Sequence, residues 1–302
     1  MTGEIVRPSK DAVDAAQLYD RVAEESSGVI IRRYSTSFGL ACRLLGPEIR
    51  RHVENIYALV RLADEVVDGV AAAANLDVTQ IEGLLDSLEA ETDQALTLGY
   101  STNLVVHAFA LSARATGFGT ELTAPFFESM RTDLRATEHT QESFDRYVYG
   151  SAEVVGLMCL KAFVMGRDYT TAEHEQLVLG ARHLGAAFQK INFLRDLAAD
   201  FGALGRSYFP GVDVDTFTEA EKMRILADIG NDLRLSAATL PMLPTTARKA
   251  VALAQGLFGE LSRRLAATPA AVLSTTRIRV PNLVKMRIAA AATLGRLPKE
   301  HL

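Results

Sequence analysis

The chain has 302 residues, and 48% of them are hydrophobic, so it can bury a sizeable core and is not an intrinsically disordered polypeptide. Its 37 aspartates and glutamates outnumber its 32 lysines and arginines, giving a net charge of −5. An acidic chain without a basic block is not expected to bind nucleic acid. Two cysteines, Cys42 and Cys159, and six scattered histidines indicate neither a disulfide framework nor a cysteine- or histidine-based metal site.

The N-terminal sequence MTGEIVRPSKDAVDAA has no apolar region of the kind found in secretory signals. The longest apolar stretch, residues 154–165, is short for a membrane span and is interrupted by Lys161. We therefore expect a cytoplasmic protein, and the sequence leaves peripheral contact with a membrane open.

Proline positions give the first indication of the fold. Because proline is excluded from helix interiors, the gaps between Pro47, Pro125 and Pro210 leave room for long helices. Alanine, leucine, arginine and glutamate dominate, and we find no strand-type alternation, repeat or low-complexity linker. We therefore predict one all-α domain over residues 1–302. In chain order the predicted helices lie near 10–33, 47–69, 77–97, 101–115, 120–135, 141–165, 171–200, 217–230, 245–267 and 281–296.

The predicted helix over 47–69 carries a stripe of polar side chains on an otherwise apolar segment. Its members recur at i, i+4, i+7 and i+11 and fall within roughly 60° of one another around the helix. They are Tyr57, Arg61, Asp64 and Asp68. A carboxylate pair on a buried helix is costly unless it is paired or binds cations. Taken alone, the stripe is more simply explained as an exposed charged face on which Arg61 pairs with Asp64 or Glu65.

The predicted helix over 171–200 carries a second stripe, again surrounded by apolar residues. Its members recur at i, i+3, i+7 and i+11 and fall within about 80° of one another. They are Gln189, Asn192, Asp196 and Asp200.

Two such stripes would form an oxygen-rich cage if their helices faced each other. Hard oxygen donors suit Mg²⁺ or Mn²⁺, and a substrate diphosphate would supply the remaining ligands. A di-iron carboxylate bundle would need Glu-x-x-His pairs, and the sequence contains none.

With these motifs in place, the chain resembles the squalene and phytoene synthases, a family of head-to-head trans-isoprenyl diphosphate synthases, and in particular the bacterial phytoene synthases. The resemblance runs from about residue 34 to residue 285. Six segments carry it in the expected order: the hydroxyl-rich opening 34–38, the first aspartate-rich segment 57–68, the central helix 147–156, the second aspartate-rich segment 189–200, the segment 205–210 and the basic segment 277–285.

The resemblance implies a single α-helical isoprenoid-synthase domain with a central cavity. It implies that two geranylgeranyl diphosphates condense head to head, through a cyclopropylcarbinyl diphosphate, to give phytoene. It also implies Mg²⁺ or Mn²⁺ held by Asp64, Asp68, Asn192, Asp196 and Asp200. No dinucleotide-binding fingerprint is present, and we expect no requirement for NADPH.

The resemblance also assigns roles to individual residues. Those expected to take part in catalysis are Tyr57, Arg61, Asp64, Asp68, Tyr149, Asp196, Asp200 and Tyr208. Those expected to bind the prenyl diphosphate are Ser35, Ser37, Phe38, Arg61, Gln189, Asn192, Arg206, Arg277 and Lys285. Those expected to form an apolar wall are Phe38, Val154, Val155, Leu157, Met158, Phe188 and Ile191. For Tyr208, packing on a loop is an alternative role. Arg195 is a further candidate for phosphate contact, and a structural ion pair is its alternative role.

Four residues depart from the family pattern. Ala199 precedes Asp200 where many relatives carry an acidic residue, and Leu62 follows Arg61 where a second basic residue is frequent. Glu153 stands where relatives often have glycine, and we expect it to point away from the cavity or to pair with a basic group. Phe258 stands where tyrosine is common, which removes one hydroxyl that could contact phosphate.

Two other functions remain alternatives from the sequence. A squalene or dehydrosqualene synthase would use farnesyl diphosphate, and the depth of the pocket would decide between them. A non-catalytic helical relative that binds a partner or lipid should have lost one of the four stripe aspartates, and all four are present. The sequence leaves the oligomeric state open.

Overall fold

A computed structural model of the chain describes residues 9–136, 138–204 and 208–296, except for the side chains of residues 72, 198–204 and 214. Helices dominate these ranges and no β-strand forms within them, which confirms the predicted all-α fold. The helices of the first half are α1 (Lys10–Tyr34), α2 (Thr36–Cys42), α3 (Pro47–Asp68), α4 (Val70–Ala73), α5 (Val78–Leu98), α6 (Leu104–Thr116) and α7 (Thr120–Arg135). Those of the second half are α8 (Gln141–Val148), α9 (Val154–Val164), α10 (Thr171–Leu204), α11 (Glu219–Thr239), α12 (Thr245–Ala267), α13 (Ala270–Leu273) and α14 (Asn282–Thr293).

Local sequence signals explain where most of these helices begin. Pro47 opens α3, and reciprocal hydrogen bonds between Asp77 and Gln80 cap the start of α5. The predicted helix over 217–230 is too short, because α11 continues to the proline-containing turn Leu240–Met242. The sequence analysis missed α2, which begins where the Ser35 hydroxyl accepts a hydrogen bond from the backbone N–H of Phe38.

Two apolar cores hold the helices together and leave a cavity between them. The first core packs α3, α5, α6, α7 and α9 around the fully buried rings of Phe109, Phe126 and Phe127. The second packs α8, α10, α11 and α12 around buried side chains that include Phe193 and Phe258. Helices α3 and α9 from the first core, and α10 and α12 from the second, line the cavity. The expected central cavity is therefore present.

One helical run in the described residues, Gln141–Val164, is long and apolar enough to cross a membrane by length and composition alone. It comprises α8, a π-helical turn at Tyr149–Glu153, and α9, and it packs against α3, α7 and α10. A core helix of a folded protein has these same properties.

The π-helical turn lies unusually close to α7. A Cβ atom on Gly150 would clash with the backbone carbonyl oxygen of Pro125 and with the hydroxyl of Ser129. The Ser129 hydroxyl also donates a hydrogen bond of 3.2 Å to the carbonyl oxygen of Tyr147, which ties α7 to the end of α8. The absence of a side chain at position 150 is therefore needed for this helix contact.

We expect Gly150→Ala to destabilise the protein by about 1–3 kcal/mol, because the added methyl group must displace backbone atoms of α7. Gly83→Ala is the matched control, since Gly83 lies inside α5 and has nothing within 4 Å of its missing Cβ. The control should gain up to about 1 kcal/mol from helix propensity. Urea unfolding of both variants measures these free energies, and a gain in stability for Gly150→Ala would contradict the close packing.

Candidate active site

A cavity of about 940 Å³ runs along α3, α9, α10 and α12, and its polar side chains gather at one end. Its lining on α10 extends from Leu177 to Asp196, which is about 28 Å of helix at 1.5 Å per residue. On α3 the lining ends at Asp68. Tyr147 lies near both aspartate-bearing ends: burial raises the pKa of Tyr147 and the charge of Asp68 adds to this shift, and its ring centroid lies 5.8 Å from that of Phe193 on α10.

The predicted stripe on α3 faces this cavity. All four of its members belong to the cavity lining: Tyr57, Arg61, Asp64 and Asp68. The Arg61 guanidinium lies 3.3 Å from a Glu65 carboxylate oxygen and 3.8 Å from an Asp64 oxygen, and it sits 5.2 Å from the centre of the Tyr34 ring. The helix therefore presents an arginine among carboxylates rather than acidic groups alone.

The predicted stripe on α10 faces the same cavity from the other side. Gln189, Asn192 and Asp196 line it, whereas the side chain of Asp200 lies outside the described residues. The Asp196 carboxylate is engaged by the neighbouring Arg195 and by Arg277, whose Nε lies 2.7 Å from an Asp196 oxygen. The ion-pair alternative for Arg195 is observed, and because Arg195 also lines the cavity, phosphate contact stays a prediction.

The carboxyl group of Asp64 carries the clearest electrostatic signature in the cavity. Burial raises its pKa from the ordinary value of 3.8 to about 7. The Arg61 guanidinium opposes this shift, and the charges of Asp68 and Glu65 add to it. Although 31% of the Asp64 side chain is exposed, that surface faces the cavity. Negative charge at this position is therefore poorly compensated in the ligand-free protein.

Most of the other predicted substrate-binding residues also reach the cavity. Ser35, Ser37, Phe38 and Lys285 line it, and the Lys285 ammonium lies 3.4 Å from the Thr36 hydroxyl. The Arg277 guanidinium lines the cavity as well, although it is held by Asp196. Arg206, which was expected to contact phosphate, lies outside the described residues.

A fourth carboxylate, which the sequence analysis missed, lies at the polar end of the cavity. Asp133 on α7 is 6% exposed and lines the cavity. The Tyr147 hydroxyl donates to its two oxygens at 2.7 and 2.9 Å, and the Tyr208 hydroxyl donates at 3.2 Å. A carboxylate in line with the apolar residues Phe126 and Met130 on α7 was the signal that could have revealed it.

Of the three tyrosines expected to act in catalysis, Tyr57 lines the cavity and the other two lie in different places. Tyr208 lines the cavity, and its ring stacks on Phe193 with centroids 3.9 Å apart, so it packs and donates a hydrogen bond at once. Tyr149 is absent from the described lining, where Tyr147 stands instead. Its ring packs into the first core and lies under the Arg182 guanidinium, 5.2 Å from ring centre to charge. Tyr149 is therefore held away from the cavity by its neighbours.

Glu153 behaves as expected for an acid near an apolar wall. Its carboxylate accepts a hydrogen bond of 2.6 Å from Arg182 Nε, and it is not part of the described cavity lining. The prediction that it would pair with a basic group is confirmed.

Apolar and aromatic side chains line the rest of the cavity. Phe258 stacks on Phe188 with ring centroids 3.9 Å apart, and Phe38 lies 5.7 Å from Phe188. Of the residues expected in the apolar wall, Phe38, Phe188 and Val155 line the cavity. The others lie behind the wall in the cores, because they occupy the opposite faces of their helices; they are Val154, Leu157, Met158 and Ile191. The far end is closed by Leu160, Phe163, Leu177, Leu240 and Leu243.

The donor set at the polar end fits a hard divalent cation. The candidate ligands Asp64, Asp68, Asn192 and Asp196 offer oxygen atoms from two facing helices, with no nitrogen or sulfur. Among the described residues, no three acidic, histidine or cysteine side chains converge closely enough to hold an ion by themselves. Phosphate oxygens would have to complete its coordination.

Two hydrogen-bond donors that line the cavity are available to an anionic ligand. The Nε of Arg61 and the hydroxyl of Ser151 are buried and have no hydrogen-bond partner in the described ranges. Both residues line the cavity. Buried polar groups normally have hydrogen-bond partners, so these two donors are suited to contact a ligand in the cavity.

Comparison with known proteins identifies the family that this fold and cavity represent. The profile of the squalene/phytoene synthase family matches residues 31–284, and the chain belongs to that family. Members of the family are prenyltransferases.

The chain is also similar to individual phytoene synthases. It is 33% identical to the 15-cis-phytoene synthase of Paracoccus sp. over 184 residues, which cover 60% of this chain and 58% of that protein. It is 34% identical to the chloroplastic phytoene synthase 3 of Zea mays over 198 residues, or 63% and 43% of the two chains. It is 28% identical to the phytoene synthase of Mycobacterium tuberculosis over 284 residues, or 87% and 88%. The alignments thus span about half the length of the first two relatives.

Solved structures share the fold at lower sequence identity. A dehydrosqualene synthase in complex with ligand superposes with a TM-score of 0.75 and 21% identity, over 92% of this chain and 98% of that one. A squalene synthase from Alicyclobacillus acidocaldarius superposes with a TM-score of 0.70 and 20% identity, over 83% and 97%.

The raised pKa of Asp64 leads to a stability prediction for the ligand-free protein. Folded Asp64 holds its proton more tightly than unfolded Asp64, so folding is favoured at low pH and loses stability between about pH 4 and about pH 7. Asp64→Asn removes this loss. The melting temperature of the variant should therefore rise relative to wild type on going from about pH 5 to about pH 8, without divalent cations.

Asp145→Asn, which removes an exposed carboxylate from α8, reports the effect of a lost surface charge alone. If the difference in melting temperature between Asp64→Asn and wild type is the same at about pH 5 and about pH 8, the charge at Asp64 is not uncompensated and the prediction is wrong.

Proposed function

We propose that this protein joins two molecules of geranylgeranyl diphosphate head to head and releases phytoene. The observation that carries the proposal is a cavity with facing aspartate stripes at one end and apolar walls along the rest. Such a cavity matches a substrate with a diphosphate at one end and a hydrocarbon chain at the other. The similarity to chains named phytoene synthase supports this product over others.

The polar end would bind the two diphosphates. Arg61, Arg195 and Arg277 suit bidentate contact with phosphate oxygens, and Lys285 adds a point charge. Ser35 and Ser37 can donate hydroxyl hydrogen bonds there. Arg206, Asp200 and Gln189 are assigned to the same end by the family resemblance.

Mg²⁺ or Mn²⁺, held by Asp64, Asp68, Asn192, Asp196 and Asp200, would supply the charge neutralisation that a departing diphosphate needs. The chain's own contribution is to place carboxylates on two rigid helices so that the diphosphates are held at one fixed end. Fixed donors need no reorganisation when charge develops on the leaving group.

The chemistry proceeds on the substrates. The C–O bond of one allylic diphosphate breaks, the diphosphate leaves with the electron pair, and the double bond of the second substrate attacks the allylic cation. Loss of a proton closes the cyclopropane ring of a cyclopropylcarbinyl diphosphate. A second ionisation, rearrangement and proton loss give phytoene. No hydride is consumed, so NADPH is not required.

The apolar part of the cavity would protect these cations. It excludes water, and the rings of Phe38, Tyr57 and Phe188 present electron-rich faces to positive charge. Asp133 would hold the hydroxyls of Tyr147 and Tyr208 in place beside the diphosphates. We propose that the protein is cytoplasmic, and because both substrate and product are lipids, we expect peripheral contact with a membrane.

The test is turnover of labelled geranylgeranyl and farnesyl diphosphate with Mg²⁺, each with and without NADPH. We expect phytoene from the longer substrate, no effect of NADPH and loss of activity with a chelator. Asp64→Asn and Asp196→Asn should lower turnover by about 100-fold or more while the protein stays folded. Asp145→Asn on the surface of α8 is the control and should retain activity.

Faster turnover of farnesyl diphosphate would instead support a squalene or dehydrosqualene synthase. Failure to turn over either substrate would support a non-catalytic relative.

A further prediction concerns how the cavity selects the length of the prenyl chain. Cys159 on α9 lines the apolar half of the cavity, so a phenylalanine there would shorten the space for a prenyl chain. Cys159→Phe should lower turnover of geranylgeranyl relative to farnesyl diphosphate by about tenfold. Cys159→Ala leaves the space open and should keep the wild-type ratio. An unchanged ratio in Cys159→Phe would show that both chains bind elsewhere.

A further inference from the structure

Helix α14 has two apolar faces, and only one of them is packed. Its inner face, with Ile288 and Ala292, packs against α12 and α2. Its outer face carries the three most exposed large apolar side chains of the described residues: Leu283 (82% exposed), Leu294 at the C-cap (74%) and Met286 (67%). Large apolar side chains clustered on one exposed helix face mark an interaction surface.

The C-terminal region around α14 is basic in an otherwise acidic chain. Residues 263–296 contain seven arginines and lysines and no aspartate or glutamate, whereas the whole chain has a net charge of −5. Arg279, Arg287 and Arg296 form no ion pair with any described residue. The exposed apolar face is therefore bordered by free positive charge.

The same helix forms part of the cavity rim. Asn282 and Lys285 line the cavity, as does Arg279 just before the helix, and Lys285 lies between Leu283 and Met286 in the sequence. Whatever covers the outer face of α14 therefore lies beside the entrance to the cavity.

We propose that the outer face of α14 docks on an anionic lipid bilayer and holds the cavity entrance at the membrane surface. An apolar helix face bordered by arginines is the pattern of helices that lie in the membrane interface. Anionic headgroups would pair with the arginines while the apolar side chains enter the acyl boundary. The proposal rests on the proposed function only in assuming that the substrate and product are lipids.

A second copy of this chain fits the face less well. A two-fold contact would place the same face of each copy against the other, so arginines such as Arg287 would lie near basic and not acidic residues of the other copy. Like charges placed opposite each other oppose association. A bilayer of negative headgroups has the opposite, complementary charge.

The experiment is flotation of the purified full chain with vesicles of phosphatidylcholine alone or mixed with phosphatidylglycerol. We expect the wild type to float with the anionic vesicles and to be released by salt. L283E/M286E should lower binding by about tenfold or more. L98E/M223E is the matched control, because Leu98 on α5 and Met223 on α11 are 64% and 51% exposed, and it should bind like wild type.

Arg287→Glu changes charge without touching the apolar side chains, so it keeps the test valid if L283E/M286E does not fold. It should weaken binding to anionic vesicles. Equal binding by wild type, L283E/M286E and Arg287→Glu, or no binding by wild type, would overturn the proposal. Sedimentation showing a wild-type dimer that L283E/M286E separates would assign the face to self-association and would overturn it too.

Vesicle binding is measured without substrate, and turnover is measured separately in detergent solution, where L283E/M286E should match wild type. Turnover without vesicle binding would contradict only the proposed membrane-docking face of α14. Vesicle binding without turnover would contradict only the proposed reaction.

Discussion

Negative charge gathered at one end of an apolar cavity is the constraint on which the rest of this structure depends. A carboxylate removed from water is costly unless it gains a proton, a cation or hydrogen-bond donors. All three solutions occur here. Burial favours protonation of Asp64, arginines form ion pairs with Asp196, and tyrosine hydroxyls donate hydrogen bonds to Asp133. Two long helices, α3 and α10, are needed to bring this charge together from distant parts of the sequence.

The arginine pairs show how such a cluster is kept ready for a ligand. Arg277 reaches α10 from the segment that follows α13 and holds Asp196 at 2.7 Å. In the proposed reaction a diphosphate would meet guanidinium groups already gathered at its binding place. Binding then exchanges one set of ion pairs for another, so less ordering of side chains is required than if the arginines were free in solvent.

Helical periodicity allowed the sequence to predict the fold and both aspartate stripes, because the spacing of side chains around a helix is a local property. Contacts between helices are not local, and there the prediction was incomplete. Asp133 is one carboxylate on an apolar helix face, and only the packing of α7 against Tyr147 and Tyr208 shows its role. Tyr149 begins a π-helical turn, which changes the direction of side chains relative to a regular helix. Helix α2 has seven residues, too few to establish a period.

The two cysteines in the cavity lining are potential sites of chemical modification. Burial raises the pKa of Cys159 to about 12 and raises that of Cys42 as well, so both stay as neutral thiols at physiological pH. A thiolate is a strong nucleophile, and an allylic cation formed beside one would alkylate it. In the proposed reaction, keeping the two sulfur atoms protonated would reduce the chance that an allylic cation alkylates a thiolate in the cavity wall.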